Sequence, residues 1–442
     1  MSVRALFPAV TWLALYLTAV LAPLVVLLLG DSPGGAGFWW DFAIAIGFAG
    51  LSMIGIQFYL TARFRRASAP FGIDILYYFH RYVAVIAFLL VVLHATIVLW
   101  LNPSFLDSFD PRSAPGYMFA GVVSAAALAI LVTSSLWRKP LRIPYDGWRI
   151  LHAVLAVAAV VLALIHVQGV GYYIATPRLR MMWLLIMAAW VALLCYVRIL
   201  KPLNMRRRPY RVSAVRADLG SAWTVALEPV GHPGFSFQPG QFAWLTLRHS
   251  PFAMKEHPFS ISSAPAADGK LEFTIKELGD FTRRVGETGV GETAYVDGPY
   301  GAFSIDRYPD APGFVFIGGG IGLAPLISML RALHGRRDPR PVLLIAANSR
   351  WDRVPFREAI SELTRAGNRR FVHVLEEPEP DWQGERGRVT TAMLDRHLPT
   401  ENRGELEYFL CGPQPMISAV EHSLYELGVP LVQSHSELFD LV

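Results

Sequence analysis

The sequence predicts a multidomain membrane protein: an all-α bundle of six transmembrane helices, then an antiparallel β-barrel, then a doubly wound α/β unit. Three observations predict it. Of 442 residues 53% are apolar and 17% charged, with a mean hydropathy of +0.37, where soluble domains carry about 25% charged residues. Residues 1–200 hold six Asp and no Glu, which leaves 29 of the 35 acidic residues to the last 242. Six apolar runs in the first part reach the ~20 residues that cross a bilayer as helix, and the pattern changes to short strands, then to strand–helix alternation, beyond residue 205. The net charge of +5 gives no indication of nucleic-acid binding, because most basic residues of the membrane half sit between apolar runs. Two cysteines, Cys195 in an apolar run and Cys411 in the soluble half, exclude a disulfide framework.

The spans are expected at about 7–29, 39–62, 75–101, 116–136, 149–168 and 180–200. The first is longer than a signal-peptide core of ~7–15 residues and no A-x-A-like site follows, so it reads as a span. Orientation follows from Lys and Arg in the short loops. One set of flanks holds 14: Arg4, Arg63, Arg65, Arg66, Arg138, Lys139, Arg142, Arg149, Arg198, Lys201, Arg206, Arg207, Arg208 and Arg211. The opposite set holds three, Arg112, Arg178 and Arg180. Both termini and the soluble half are therefore expected on the cytoplasmic side of a lipid bilayer, a bacterial inner membrane. Spans three and five run outward.

The expected domains are 1–204 for the membrane bundle, 205–308 for the barrel and 309–442 for the α/β unit. Strands are read at Tyr210–Val215, Trp223–Glu228, Gln241–Leu247 and Leu271–Lys276, separated by turn signals. From Ala311 the reading is strand Phe314–Ile317, a Gly-rich turn, a helix at 323–334, strand Val342–Ala346, helix Pro355–Arg365, strands Phe371–Leu375 and Tyr408–Leu410, and helix Pro415–Leu427. Such alternation predicts a parallel sheet.

Four of the 12 histidines lie in the spans: His80 and His94 in span three, His152 and His166 in span five. Each pair is 14 residues apart, which returns to within about 40° of the same helix face and separates the two rings by about 21 Å along the axis. Spans three and five are parallel, so His80 is level with His152, and His94 with His166. Two imidazoles facing each other at one depth suit the two axial positions of a haem iron, and two levels make two stacked b haems. The competing assignment is a set of buried, hydrogen-bonded histidines, yet ionisable groups within a membrane are costly and usually functional. Structural zinc needs four ligands at one point, which a ~21 Å offset forbids. Filled axial positions favour electron transfer over ligand binding at iron.

Haem takes one electron at a time, and cytoplasmic nicotinamide delivers a hydride. A flavin mediates between them, so a flavin site and a nicotinamide site are both expected. Gly318-Gly319-Gly320-Ile321-Gly322-Leu323-Ala324-Pro325 follows an apolar strand and opens a helix, an arrangement that lets a pyrophosphate approach backbone and helix N-terminus. Its spacing is not G-x-G-x-x-G. Cys411-Gly412-Pro413 stands at the end of a later strand, where open α/β sheets bind ligands.

These residues carry a resemblance. His257-Pro258-Phe259-Ser260 resembles the HPF[ST] flavin motif of the ferredoxin–NADP reductase family, whose soluble members have Arg at the His position. Phe281-Thr282, after Lys276-Glu277-Leu278-Gly279, resembles the segment that meets the flavin pyrophosphate, and Asp297-Gly298-Pro299-Tyr300-Gly301 the turn closing the barrel. The glycine turn (Gly318, Gly319, Gly320, Gly322, with Pro325) and Cys411-Gly412-Pro413 match the nicotinamide half. Glu437-Leu438-Phe439 resembles the C-terminal E-x-[YF], whose ring covers the flavin, although three residues follow Phe439 here. Six spans, paired histidines in spans three and five, and this reductase half together resemble the NADPH oxidase and ferric reductase superfamily over residues 5–439. The resemblance implies FAD, NADPH or NADH, and two b haems as cofactors, with Ser260, Cys411, Glu437 and Phe439 at the hydride-transfer site. It implies His80 and His152 on an inner haem and His94 and His166 on an outer one. The implied acceptor is a small molecule outside, dioxygen or a ferric chelate; no obligatory protein partner is indicated.

The expected external segments, 30–38, 102–115 and 169–179, are too short to recognise a large chelate and favour a small acceptor. The eukaryotic oxidases carry a His four residues after the outer ligand, where this sequence has Val98, so dioxygen leads ferric iron only slightly, with a quinone or a periplasmic redox protein as further alternatives. Asn348-Ser349-Arg350 follows the second strand of the α/β unit, where Arg suits an adenosine 2′-phosphate; this favours NADPH, with Asp352 close by. Arg81 and Arg149 have two readings, propionate partner or snorkelling side chain. Arg178 and Arg180 read as interfacial anchors and Arg206–Arg208 as a mark of the membrane surface. A transporter with a regulatory nucleotide domain is the reading from another class, and the regular histidines argue against it.

Overall fold

A computed structural model of the chain describes residues 3–29, 36–64, 73–365 and 367–438. The chain divides into two compact units, one made of Phe7–Arg63 and Ile75–Lys201, the other chiefly of Pro202–Val442.

The first unit is helical: α1 (Val3–Leu29), α2 (Phe38–Thr61), α3 (Ile73–Leu101), α4 (Gly116–Leu136), α5 (Tyr145–Val170) and α6 (Pro177–Cys195). Among the described residues five helices, Phe38–Thr61, Leu76–Leu101, Gly116–Leu136, Tyr145–Val170 and Pro177–Arg207, are long and apolar enough to cross a membrane, and Val10–Val26 of α1 is a shorter apolar helix. Their ends follow local chemistry. Pro177 opens α6 at its first turn, where a missing N–H costs nothing. Gly171, left-handed at φ 66°, closes α5.

Large side chains set the packing. Phe48 and Leu51 of α2, Val160 and Leu164 of α5, and Leu179 and Trp183 of α6 form one buried cluster. Leu128, Leu131 and Val132 of α4 pack with Ala159 of α5 in another. Tyr16 and Val20 of α1 meet Leu60 of α2 and Val83 of α3 in a third. Many residues on the other faces, such as Leu89, Val154 and Leu185, are exposed, as lipid-facing positions are.

The second unit has two sheets. The first is antiparallel, with β1 (Tyr210–Asp218), β2 (Ala222–Pro229), β3 (Phe242–Leu247), β4 (His257–Ser260), β5 (Leu271–Lys276) and β6 (Thr293–Tyr300), in the order β4-β3-β6-β1-β2-β5. It curls far enough for Ile261, just past one edge strand, to bridge Phe273 in the other. Strands β4 and β6 were not expected. Three of β4's first four positions are His, Pro and Phe, too short a run for alternation to register, and Gly298-Pro299 inside β6 reads as a breaker.

The second sheet holds β7 (Phe314–Gly319), β8 (Val342–Asn348), β9 (Arg369–Leu375), β10 (Glu385–Arg386), β11 (Glu407–Gly412) and β12 (Ser434–Leu438), in the order β10-β9-β8-β7-β11-β12, parallel throughout. Helices α7 (Leu323–Gly335), α8 (Arg357–Leu363), α9 (Thr391–His397) and α10 (Gln414–Glu426) connect the strands. The continuous apolar strands are buried on both faces, as parallel strands must be. Helix α8 starts later than the expected Pro355, because Phe356 sits left-handed at φ 60° and cannot begin the helix. The two sheets are tied together: Ser328 of α7 donates to the Ser263 carbonyl (2.6 Å), and Arg331 to the Ser262 carbonyl (2.8 Å) and the Glu272 carboxylate (2.9 Å).

Candidate functional site

In the helical unit the four histidines stand on α3 and α5 as expected. The rings of His80 and His152 have centres 6.3 Å apart, inclined at 59°. Two imidazoles sharing one metal, each nitrogen about 2 Å from it, have ring centres about 6 Å apart, so this pair fits a bis-imidazole iron.

What holds the rings was not expected from the sequence, and the structure supplies it. His94 Nδ1 lies 2.8 Å from the Ala43 carbonyl and His166 Nδ1 3.1 Å from the Tyr117 carbonyl. A carbonyl only accepts, so both Nδ1 atoms carry the proton. Ser135 Oγ already donates to the Leu131 carbonyl (2.7 Å), so it accepts from His152 Nδ1 at 3.2 Å. His80 Nδ1 faces the Gln57 amide oxygen at 2.7 Å. With Nδ1 protonated, the Nε2 lone pair is left for a metal; an outer hydrogen bond of this kind fixes the tautomer of a ligating imidazole. Among the described residues no group of three or more His, Cys, Asp or Glu converges on one point.

Room for two rings comes from glycine. A Cβ on Gly47 would stand 2.8 Å from His94 Nδ1, and one on Gly121 2.7 Å from His166 Nδ1. Nearby, the Trp148 ring lies 5.1 Å from that of His152, and Arg138 stacks over Trp148 at 5.6 Å.

In the second unit, β4 carries His257 to Ser260. The His257 ring stacks on Phe281 at 4.0 Å and 24°, and Phe259 lies 6.0 Å from Phe281, nearly parallel. Ser260 is 5% exposed, and its Oγ has no hydrogen-bond partner among the described residues. A buried orphan hydroxyl costs free energy, and a ligand atom at this place would satisfy it. Pro258 pairs with Trp244 of β3 and holds the strand in register. Thr282 does not stand open: its Oγ1 accepts from Leu278 N and Gly279 N, both at 2.8 Å, and shapes the loop.

The parallel sheet reverses its strand order between β7 and β11, the place where such sheets bind ligands at their carboxyl ends. Both predicted turns lie there. A Cβ on Gly322 would collide with the Cys411 carbonyl, and one on Gly319 would sit 2.7 Å from Met416 Sδ. A Cβ on Gly412 would stand 3.1 Å from Gly319 N and 3.2 Å from its Cα. Gly320, left-handed at φ 55°, has open space where a Cβ would be, so it lines the mouth of the turn. Gly318 packs against Leu323 and Leu326, and Pro325 is buried in the first turn of α7. Pro413 lies just before α10 and starts it.

Cys411 is fully buried, paired in register with Gly318 on one side and Glu437 on the other. Burial, then the Glu437 charge, pushes its thiol pKa well above the ordinary value, so the thiol stays neutral. Glu437 Oε1 comes within 3.6 Å of where a Cβ on Gly301 would stand, next to the Asp297–Tyr300 turn, in which Tyr300 Oη donates to Asp297 at 2.7 Å. Phe439 lies outside the described residues, as do Arg65, Arg66, Asp440, Leu441 and Val442. Arg350 is half exposed at the end of β8 and pairs with Asp352 at 3.2 Å. Beyond it His373, Trp351 and Trp382 form an aromatic cluster, with His373 4.7 Å from Trp351.

Comparison with known proteins gives the parts in the same order. Residues 46–163 match the ferric reductase like transmembrane component, 224–304 an FAD-binding domain and 316–422 an oxidoreductase NAD-binding domain. The chain is 34% identical over 185 residues to NADH-cytochrome b5 reductase 1 of Laccaria bicolor, covering 40% of this chain and 58% of that one. It is 32% identical over 245 residues to the reductase component of propane 2-monooxygenase of Rhodococcus jostii, covering 53% and 64%. The chain thus spans about three fifths of the length of these relatives. Among solved structures, a ferredoxin reductase in carbazole 1,9a-dioxygenase is 28% identical, with a TM-score of 0.46, over 52% of this chain and 69% of that one. A ferric-reductase-like membrane component that takes in His80, His94 and His152, with His166 three residues beyond the match, followed by FAD- and NAD-binding reductase domains, is the architecture of the NADPH oxidase and ferric reductase superfamily, and the chain has it.

Proposed function

We propose that the protein is an NAD(P)H oxidoreductase that moves single electrons outward across a bilayer to a small acceptor. One observation carries the reading: four intramembrane histidines, paired across α3 and α5, each with Nδ1 engaged and Nε2 left for a metal. When bound, FAD takes a hydride and releases electrons singly, and two b haems pass them one at a time.

The chain's own residues divide the work. The Gly318–Gly322 turn and Cys411–Pro413 receive the nicotinamide nucleotide at the switch point, with Gly320 leaving the backbone open to phosphate. Arg350 meets an adenosine 2′-phosphate, which makes NADPH the preferred donor. His257 and Phe281 wall the flavin site, and the Ser260 hydroxyl supplies a hydrogen bond to it. The neutral Cys411 thiol and Glu437 border the point of hydride transfer. His80 and His152 hold the inner haem, His94 and His166 the outer.

Six spans, a closed FAD barrel and a cytoplasmic reductase half complete the proposal. The 14-to-3 distribution of basic residues supports that orientation. Dioxygen, reduced to superoxide, is the acceptor we favour, because the external segments are short; a ferric chelate is the second reading, supported by the likeness of residues 46–163 to a ferric reductase transmembrane component. Proteoliposomes given NADPH on the reductase side separate them. Superoxide formation that persists when a ferric chelate is supplied supports dioxygen. Ferrous iron formed without oxygen, and no superoxide with it, supports the chelate.

A further inference from the structure

Gly47 and Gly121 occupy equivalent places in two helical hairpins, α2–α3 and α4–α5. In each, a histidine of the second helix donates Nδ1–H to a main-chain carbonyl of the first, Ala43 or Tyr117. In each, the glycine stands four residues after that carbonyl. An α-helical carbonyl at position i already accepts the N–H of position i+4, which here is the glycine's own. The oxygen has a second lone pair, but a side chain at i+4 lies beside it. A Cβ at either glycine would come within 2.7–2.8 Å of the imidazole Nδ1, closer than packing allows. A mid-helix glycine otherwise destabilises a helix relative to alanine. The level of His80 and His152 reaches the same end differently: its rings meet side-chain acceptors, Gln57 and Ser135, and need no glycine.

We infer that Gly47 and Gly121 are positioning residues for the His94–His166 level, each uncovering a main-chain carbonyl so that it fixes the rotation and tautomer of one imidazole and aims its Nε2 at the shared iron. This rests on the function proposed above. The hydrogen bond raises the basicity of the ligand, so losing it weakens retention of that haem or shifts its potential, with the other level unaffected.

The test uses the full chain purified in detergent, with haem and FAD quantified and the haems titrated potentiometrically. Wild type is expected to hold two haems per FAD and titrate in two components. Gly47→Ala and Gly121→Ala are each expected to keep FAD while one component shifts or the haem-to-FAD ratio falls toward one. The same component responds in both variants. Gly50→Ala is the control, because its Cβ meets the Ala87 carbonyl, Val91 and Leu90 but no histidine; it is expected to titrate as wild type. If Gly47→Ala does not fold, combining it with His94→Gly removes the ring the methyl strikes and is expected to restore protein and FAD, a coupling that a double-mutant cycle reads directly. Unchanged titrations in Gly47→Ala and Gly121→Ala overturn the inference, as does an equal effect of Gly50→Ala or a double variant as defective as the single. A wild-type protein without haem overturns the proposed function as well and is seen before any variant is made.

Discussion

The rings of His80 and His152, on α3 and α5, lie 6.3 Å apart, and 14 residues further along each helix His94 and His166 meet carbonyl partners at Ala43 and Tyr117. The two levels are separate, so they are expected to fail separately. His94→Leu removes an imidazole without adding charge. It is expected to lose one of two haems and stop outward electron transfer, while NAD(P)H still reduces FAD. Haem analysis and anaerobic flavin bleaching on one preparation check this.

The four histidines were legible because a 14-residue spacing on parallel helices is a geometric statement. Gly47, Gly121, Gln57 and Ser135 were not, because their role arises between helices and leaves no periodicity along the chain. The nearest signal is a repeated distance: Ala43 to Gln57 is 14 residues, and so is Tyr117 to Leu131, the carbonyl that holds Ser135. In the soluble half the parallel strands were legible as apolar runs. Strands β4 and β6 were not, since His-Pro-Phe-Ser and Gly-Pro are poor strand formers held by pairing to β3. Thr282 was assigned to the flavin by resemblance, yet its hydroxyl is taken up by its own loop.

Gly322 tests the nicotinamide turn. Its added methyl meets the main chain at Cys411, which cannot swing aside as a side chain would. Gly322→Ala is expected to cost about 1–3 kcal/mol through overpacking and to raise KM for the nicotinamide nucleotide at least tenfold, with FAD and haem retained. Initial rates at varied NADPH, beside FAD content, give the answer.

Arg350 tests the choice of nucleotide. Its guanidinium is half exposed and pairs with Asp352. A charge-assisted bond to phosphate is worth roughly 1.5–3 kcal/mol. Arg350→Ala is therefore expected to raise KM for NADPH by about tenfold or more and to leave NADH little changed. Equal effects on both remove Arg350 from the 2′-phosphate.

His373 gives the soluble half a pH dependence. Burial, then Arg357, lowers its pKa from 6.5 to about 4. The unfolded chain takes up a proton as pH falls through 6.5, and the folded chain does not until about 4. Stability is therefore full above pH 6.5 and falls between 6.5 and 4, by about 2 kcal/mol at most after discounting for the ring's partial exposure. Thermal release of FAD followed at pH 7.5 and pH 5 is expected to show the fall, and His373→Phe to reduce it.

The central claim is that electrons from a nicotinamide nucleotide reach two membrane haems through the reductase half of one chain. Adding NADPH anaerobically to the purified full-length protein and recording the visible spectrum tests it most directly. The account predicts bleached flavin followed by reduced low-spin b-type bands from two haems per FAD. A preparation without haem, or haems that stay oxidised beside a fully reduced flavin, would contradict it.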